Sequence, residues 1–216
     1  MGYTAIVIAA GLSSRMDGLK PLLPIGEKPA ITRLLDTIRA AGIEDVVVVT
    51  GHEREMVEEA LTEQRDGSFY VQNRTQKEPS LCSVYNEDFR SGMFSSVKAG
   101  LRCVAETSDA LLFPVDVPLV SAKTIRGLVS AYEEGSPSRF AVPVYKGNNG
   151  HPLLIPRLFY TEILGHKGEG GLKEVRNRHA AEMLRYEVGD EGCVLDMDTP
   201  EDYEKLLSYY GRKTDA

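Results

Sequence analysis

The chain has 216 residues, 42% of them hydrophobic and 26% charged, with a formal net charge of -7, which suits one globular domain with a substantial core. That acidic balance gives no general attraction to nucleic acid or to an anionic membrane surface, so neither is expected as a partner, and an anionic ligand has to be held by a local cluster of cations. The apolar runs fall far short of a membrane span and no secretory pattern opens the chain, so a cytoplasmic protein is expected.

The apolar run Ala5 to Ala9 has the length and branching of a buried strand. The stretch after it, Ala9 to Lys20, is small, flexible and basic: Gly11, Ser13, Ser14 and Gly18 offer amides and hydroxyls without bulk, and Arg15 and Lys20 add two positive charges. A strand, an open loop and then cations suggest an anion site. Pro21 to Pro29 reads as an extended connector. Ile31, Leu34, Leu35 and Ile38 mark one face of a helix ending near Gly42. Val46 to Val49 is a second buried strand, Met56, Val57, Ala60 and Leu61 belong to a short charged helix, and Ser68 to Gln72 reads as a third strand. Such a β-α-β-α-β start implies an α/β fold with parallel strands.

Asn73 to Arg90 has no clear period and is expected to be a long loop. Ser91 to Ser96 then leads into a helix with Val97, Leu101 and Val104 on one face, and Ala110 to Val115 is a fourth apolar strand ending at Asp116. Ser121 is placed to cap a helix whose Ile125, Leu128, Val129 and Tyr132 form a buried face. Phe140 to Tyr145 and His151 to Ile155 flank KGNNG, which predicts a hairpin turning at Asn148, Asn149 and Gly150 and so an antiparallel element. A helical segment around Leu158 to Leu164, a glycine-rich stretch at Lys167 to Gly171, a short helix and a strand near Met183 to Val188 follow. Tyr203, Leu206, Leu207 and Tyr210 mark a closing helix, so residues 1–210 read as one domain and 211–216 as a loose tail.

The first loop is neither of the familiar phosphate binders. Gly11 and Gly18 are seven apart and Leu19 separates Gly18 from Lys20, which excludes the P-loop spacing; Gly11-Leu12-Ser13 fails the dinucleotide fingerprint at its second glycine. Cys82, Cys103 and Cys193 are far apart with no CxxC pair, so reduced thiols are expected rather than a disulfide or zinc site. Pro200 suits the first position of the closing helix. Thr199 then caps it and leaves the Asp198 carboxylate uncommitted, the alternative being a capping box of Asp198 with Glu201.

AAGLSSRM with Lys20 four residues beyond Met16, then PVDVPLV, GHP and DMDTPED in that order, resembles the MobA-like nucleotidyltransferases over almost the whole chain. The AAG start, the GMFSS segment and GHP are most similar to the CTP-using molybdenum cofactor cytidylyltransferases within that family. The resemblance implies a three-layer Rossmann-like fold with a mostly parallel sheet, and Mg2+-dependent transfer from CTP to a molybdopterin-type phosphate with release of pyrophosphate. The same chemistry on a sugar phosphate or other small phosphate is the alternative. A nucleotide-binding regulatory module without turnover is a third reading. The reacting phosphate is already an anion, so no general base is needed, in keeping with the lack of a Ser-His-Asp or Cys-His pattern.

Carried onto this chain, the resemblance implies that Ala10, Gly11, Leu12, Ser13, Arg15 and Lys20 hold the triphosphate, with Lys20, Arg15 and Asp116 as the catalytic set. It further implies Asp116 and Asp198 as magnesium ligands, Asp196 as a weaker candidate and His151 as a substrate-binding residue beside the acceptor or nucleotide pocket, while Ser95 and Ser96, at the start of their helix, either contact the nucleotide or merely cap the helix. A helix terminus offers an exposed anion only about 0.3 to 1 kcal/mol. A donor aimed at transition-state charge is worth about 2.7 to 4 kcal/mol, so the full cations and the metal should dominate. Three departures from the family pattern bear on the acceptor and on triphosphate binding. Asp17 puts a carboxylate between the two cations in sequence, Val115 stands where glycine is common, and the Arg74 to Tyr85 excursion is long.

Overall fold

The first apolar run becomes the middle strand of the sheet. In the computed structural model, which describes residues 2–62, 81–135, 137–180 and 183–214, strand β1 (Gly2–Ile8) lies between β4 (Asp45–Thr50) and β6 (Ser108–Pro114) and runs parallel to both. Its side chains alternate between two cores, as a doubly covered strand requires. Ala5 and Val7 pack with α1 (Ala30–Ala40), α2 (Arg54–Thr62) and α4 (Ala122–Glu134), through Ile31, Leu34, Val57, Leu61, Ile125 and Leu128. Ile6 and Ile8 pack on the other face with α3 (Met93–Leu101), α5 (Tyr160–Gly165) and α6 (Gly171–Arg178), through Val97, Leu101, Ile163 and Val175. Each such aliphatic side chain contributes about 1.5–3 kcal/mol on burial. The result is the expected three-layer α/β arrangement.

Four further main-sheet strands are β5 (Leu81–Tyr85), β7 (Ala141–Tyr145), β9 (Leu153–Ile155) and β10 (Leu184–Glu187). The order across the sheet is β10-β7-β9-β6-β1-β4-β5, with a short β8 (Asn148–Asn149) on β7. Only β9 and β8 run antiparallel to their neighbours. Within the proline-rich connector, β2 (Pro24–Ile25) and β3 (Lys28–Pro29) form a separate two-stranded ribbon. Its Ile25 is buried with Met197 and with Leu206 of α7 (Pro200–Thr214).

Several expectations are corrected. The strand proposed at Ser68 to Gln72 lies outside the described residues. The strand paired with β4 is Leu81–Tyr85, inside the segment expected to be loop. It is a half-buried edge strand of mixed polarity, which hides its period. The hairpin turns at Lys146 and Gly147, with φ of 48° and 84°, so both central residues adopt the left-handed conformation of a tight primed turn. Asn148 and Asn149 pair back with Tyr145 and Val144 instead of forming the turn, and β9 inserts between β7 and β6. Finally, α7 continues through Thr214, four residues past the point where a loose tail is expected.

The chain leaves β1 for β4 on one side and returns in β6 on the other. The ends of β1 and β6 therefore lie together, Ile8 paired with Pro114 and the Val115 amide donating to the Ile8 carbonyl at 3.1 Å. An open α/β sheet offers its ligand crevice at such a switch point, and the Ala9 to Lys20 loop and Asp116 both start there. No helix among the described residues is long and apolar enough to cross a membrane.

Candidate active site

The loop after β1 is folded back by Ser13. Its φ of 51° turns the chain, its carbonyl accepts the Met16 amide at 2.9 Å, and its hydroxyl accepts the Lys20 amide at 3.0 Å. That closure sends Lys20 into a 3-10 turn, Lys20–Leu22, anchored by buried Pro21. The Lys20 ammonium then reaches two carboxylates: it lies 3.6 Å from Asp116 Oδ2 and donates a hydrogen bond to Asp198 Oδ1. The Arg15 Nη2 donates to Asp198 Oδ2 at 2.8 Å.

Asp198 is free to accept both cations because it does not cap α7. The Thr199 hydroxyl accepts the Asp202 amide at 3.2 Å and donates to the Asp202 carboxylate at 2.8 Å, so Thr199 is the cap and the alternative capping box of Asp198 with Glu201 does not form. Asp196 is exposed and is not part of the cleft wall, although its charge adds to the rise of the Asp116 pKa. Around the four charged groups lies a cleft of about 300 Å³, whose wall includes Ala10, Gly11, Leu12, Ser13 and Val115.

One ammonium serves two carboxylates unequally. Hydrogen bonding to Lys20, helped by its charge and that of Arg15, holds Asp198 below the usual carboxylate range. Asp116 goes the other way: burial raises it, Lys20 opposes the rise from a greater distance, and Asp198 adds to it. Side-chain exposure is 14% for Lys20 and 65% for Arg15. The Lys20 contacts are therefore poorly screened, whereas the Arg15 contact is of the surface kind worth at most about 1 kcal/mol.

Three expected residues sit elsewhere. Ser95 does not line the cleft; its hydroxyl lies 2.8 Å from the Gly92 carbonyl and accepts from Asn86 Nδ2 at 2.8 Å, a local brace at the start of α3. Buried Ser96 is the serine in the wall. Asp17 is exposed and not part of the cleft wall. His151 also misses the cleft. Its amide donates to the Cys193 carbonyl at 2.8 Å, and its Nδ1 is buried without a hydrogen-bond partner among the described residues.

Burial, reinforced by the Arg176 charge and opposed by a hydrogen bond to the Leu112 backbone, lowers the His151 pKa from 6.5 to about 4. The unfolded chain thus takes up this proton before the native one does, so the stability contribution is whole above about pH 6.5 and falls as pH drops towards 4, by on the order of 3 kcal/mol for the full shift. Urea midpoints at about pH 7.5 and about pH 5 are expected to differ less in His151→Asn than in the unsubstituted protein. Equal differences would exclude His151 as the source.

Sequence reasoning missed the opposite wall. Phe89, Arg90 and Met93 line the cleft, and Met93 and Leu12, 59% and 45% exposed, stand at it as apolar surface. Phe89 and Arg90 fall in the segment without periodicity, and nothing local in sequence points them at the β1 loop.

The family model of the MobA-like NTP transferase domain matches residues 5–183. The molybdenum cofactor cytidylyltransferase of Escherichia coli is 24% identical over 204 residues, covering 92% of each chain. A UTP–glucose-1-phosphate uridylyltransferase of Staphylococcus epidermidis is 24% identical over 162 residues, covering 68% of this chain and 56% of that protein. Among solved structures, Rv0371c of Mycobacterium tuberculosis superposes with a TM-score of 0.73 at 26% identity, over 96% of this chain and 98% of that one. A second structure of it is a complex with manganese, with a TM-score of 0.69 at 24% identity and the same coverage.

Proposed function

Because this chain belongs to the MobA-like NTP transferase family, we propose that it transfers a cytidylyl group from CTP to a molybdopterin-type phosphate and releases pyrophosphate, using a divalent metal, magnesium. The observation that carries this reading is the Lys20 ammonium shared between Asp116 and Asp198 beside the phosphate-loop residues at the sheet's switch point. In the reaction, an acceptor phosphate oxygen forms a bond to the α-phosphorus of CTP as the bond from that phosphorus to the β-phosphate oxygen breaks. Pyrophosphate carries off the electron pair. The acceptor oxygen is already ionised, so the protein's task is to hold anions together in line.

The residues present fit a hard divalent cation. The donors are carboxylate oxygens, as magnesium and manganese prefer, and the two carboxylates share one part-buried ammonium, with Asp116 the less neutralised of them. Asp116 and Asp198 would hold it; among the described residues no group of three or more His, Cys, Asp or Glu side chains is gathered for a metal, so phosphate oxygens would complete its ligands. The metal supplies charge neutralisation at the reacting phosphates. Lys20 and Arg15 then face the triphosphate, and the loop residues Ala10 to Ser13 form the wall against which it lies. The exposed Leu12 and Met93 offer apolar surface to the flat part of an acceptor or base.

The relative acting on glucose 1-phosphate, matched at the same 24% identity, supports a second reading with a sugar phosphate as acceptor. Pyrophosphate release measured with each of the four nucleoside triphosphates, across molybdopterin and sugar 1-phosphates, tests both. Release is expected with CTP and molybdopterin; release only with a sugar phosphate would establish the second reading, and binding without release under every condition would overturn both.

A further inference from the structure

The cleft carboxylates come from two segments far apart in sequence. Asp116 opens the loop 115–121 after β6, and Asp198 closes the segment 190–198 ahead of α7. What joins the two segments is a third carboxylate that the reaction leaves unused. Asp190 is only 8% exposed. Its Oδ2 accepts the Ser121 amide at 2.7 Å and the Thr124 hydroxyl at 2.8 Å, gripping the far end of the loop that begins at Asp116. Its Oδ1 accepts the Gly192 amide and the Tyr209 hydroxyl, each at 3.2 Å, and pairs with Lys213 Nζ at 3.3 Å, gripping the start of the second segment and the end of α7.

Two more contacts run along the same seam. Gly192 packs so closely on the other loop that a Cβ there would lie 2.1 Å from the Leu119 carbonyl oxygen. The Met197 amide donates to the Asp116 carbonyl at 3.0 Å, one residue before Asp198. The two segments are thus sewn together at Asp190, Gly192 and Met197, and the last stitch holds Asp198 against the backbone of Asp116. A buried carboxylate with five donors is costly to assemble and adds little net stability over an apolar joint, but it holds geometry tightly because its donors tie the start of α4, the segment at Gly192 and the end of α7 to one group.

We propose that Asp190 is a positioning residue that sets the spacing of Asp116 and Asp198. The inference rests on the reading of those two as the metal-holding pair. A merely structural carboxylate is available for contrast on β6 itself: Asp109, 2% exposed, accepts the Tyr132 hydroxyl and the Arg157 amide, each at 2.9 Å, towards the end of the strand opposite Asp116.

The test is Mn2+ binding in the presence of CTP, with free Mn2+ counted by electron paramagnetic resonance at a temperature where every variant keeps the circular dichroism of the parent. Both Asp190→Asn and Asp109→Asn are expected to lower Tm. Only Asp190→Asn is expected to raise the half-saturating Mn2+ concentration, by on the order of tenfold, the lower end of what the loss of a group that orients metal ligands costs. Should Asp190→Asn fail to fold, Tyr209→Phe, which removes one donor, is expected to raise it about threefold. Unchanged Mn2+ binding in Asp190→Asn, or in Tyr209→Phe where Asp190→Asn does not fold, or an equal shift in Asp109→Asn, would overturn the positioning role. Mn2+ binding indifferent to Asp116→Asn would instead overturn the metal reading beneath it.

Discussion

Lys20→Ala is expected to lower kcat/KM for nucleotidyl transfer by on the order of 10² to 10³-fold, the loss of one donor aimed at transition-state charge. The size follows from where the ammonium sits. It is 14% exposed, between two carboxylates and at the foot of a loop whose closure by Ser13 fixes its position. Arg15 cannot replace it, being 65% exposed and screened by water, so Arg15→Ala is expected to cost only about tenfold. Stability carries a second signature. Asp198 is held below its usual pKa chiefly by Lys20, so its contribution is present above the unfolded carboxylate pKa and lost as pH falls through the folded one. Lys20→Ala is therefore expected to lower the urea midpoint at neutral pH, with the difference from the parent shrinking in acid. Steady-state kinetics and denaturation at two pH values check both; near-normal turnover would remove Lys20 from the reaction.

Asp116→Ala is expected to abolish metal-dependent turnover, a loss on the order of 10³-fold or more for a ligand whose metal supplies several kcal/mol at the transition state. It is not expected to weaken the fold. Burial raises the Asp116 pKa despite Lys20, so near neutral pH the native state carries a charge that the unfolded state holds more easily, and the contribution to stability falls as pH rises. Removing the carboxylate is thus expected to leave Tm unchanged or higher. A variant that lost both activity and several degrees of Tm would assign Asp116 a structural role.

Much of this architecture is written in local pattern. The run Ala5 to Ala9 reads as a central strand because both of its faces are buried, and α1 and α4 are legible because Ile31, Leu34, Leu35, Ile38, Ile125, Leu128 and Tyr132 recur at helical spacing on fully buried faces. Asp198 is legible through its neighbour: proline at position 200 assigns the cap to Thr199 and leaves the carboxylate free. Where contacts are remote or half-solvated, pattern fails. Strand β5 lies on a sheet edge with only Leu81 fully buried, so it carries no strong alternation. The hairpin turn sits at Lys146-Gly147 because two left-handed residues match strand twist, and the more suggestive Asn-Asn-Gly draws the eye past it.

The same limit governs the site. Its cations and carboxylates carry their chemistry in their identity, whereas Phe89 and Arg90, in the 3-10 turn Phe89–Ser91, and Met93, at the start of α3, reach the cleft only through tertiary packing. Ser95 and Ser96 are neighbours on α3, and only packing decides which one faces the cleft. His151 belongs to the short motif GHP but turns into the protein, where burial and Arg176 keep its ring neutral near pH 7. Asp190 is the extreme case: its five partners span residues 121 to 213, and no local signal distinguishes it from a surface aspartate.

The most direct test follows the phosphorus. CTP labelled with ³²P at either the α or the γ position, incubated with magnesium and molybdopterin, is expected to place α-label in the acceptor product and γ-label in pyrophosphate, to do so on the order of 10² to 10³-fold more slowly in Lys20→Ala, and to place neither in Asp116→Ala. Label from the γ position in the acceptor would contradict nucleotidyl transfer in this cleft, and α-label transferred equally well without divalent metal would contradict the metal's part in it.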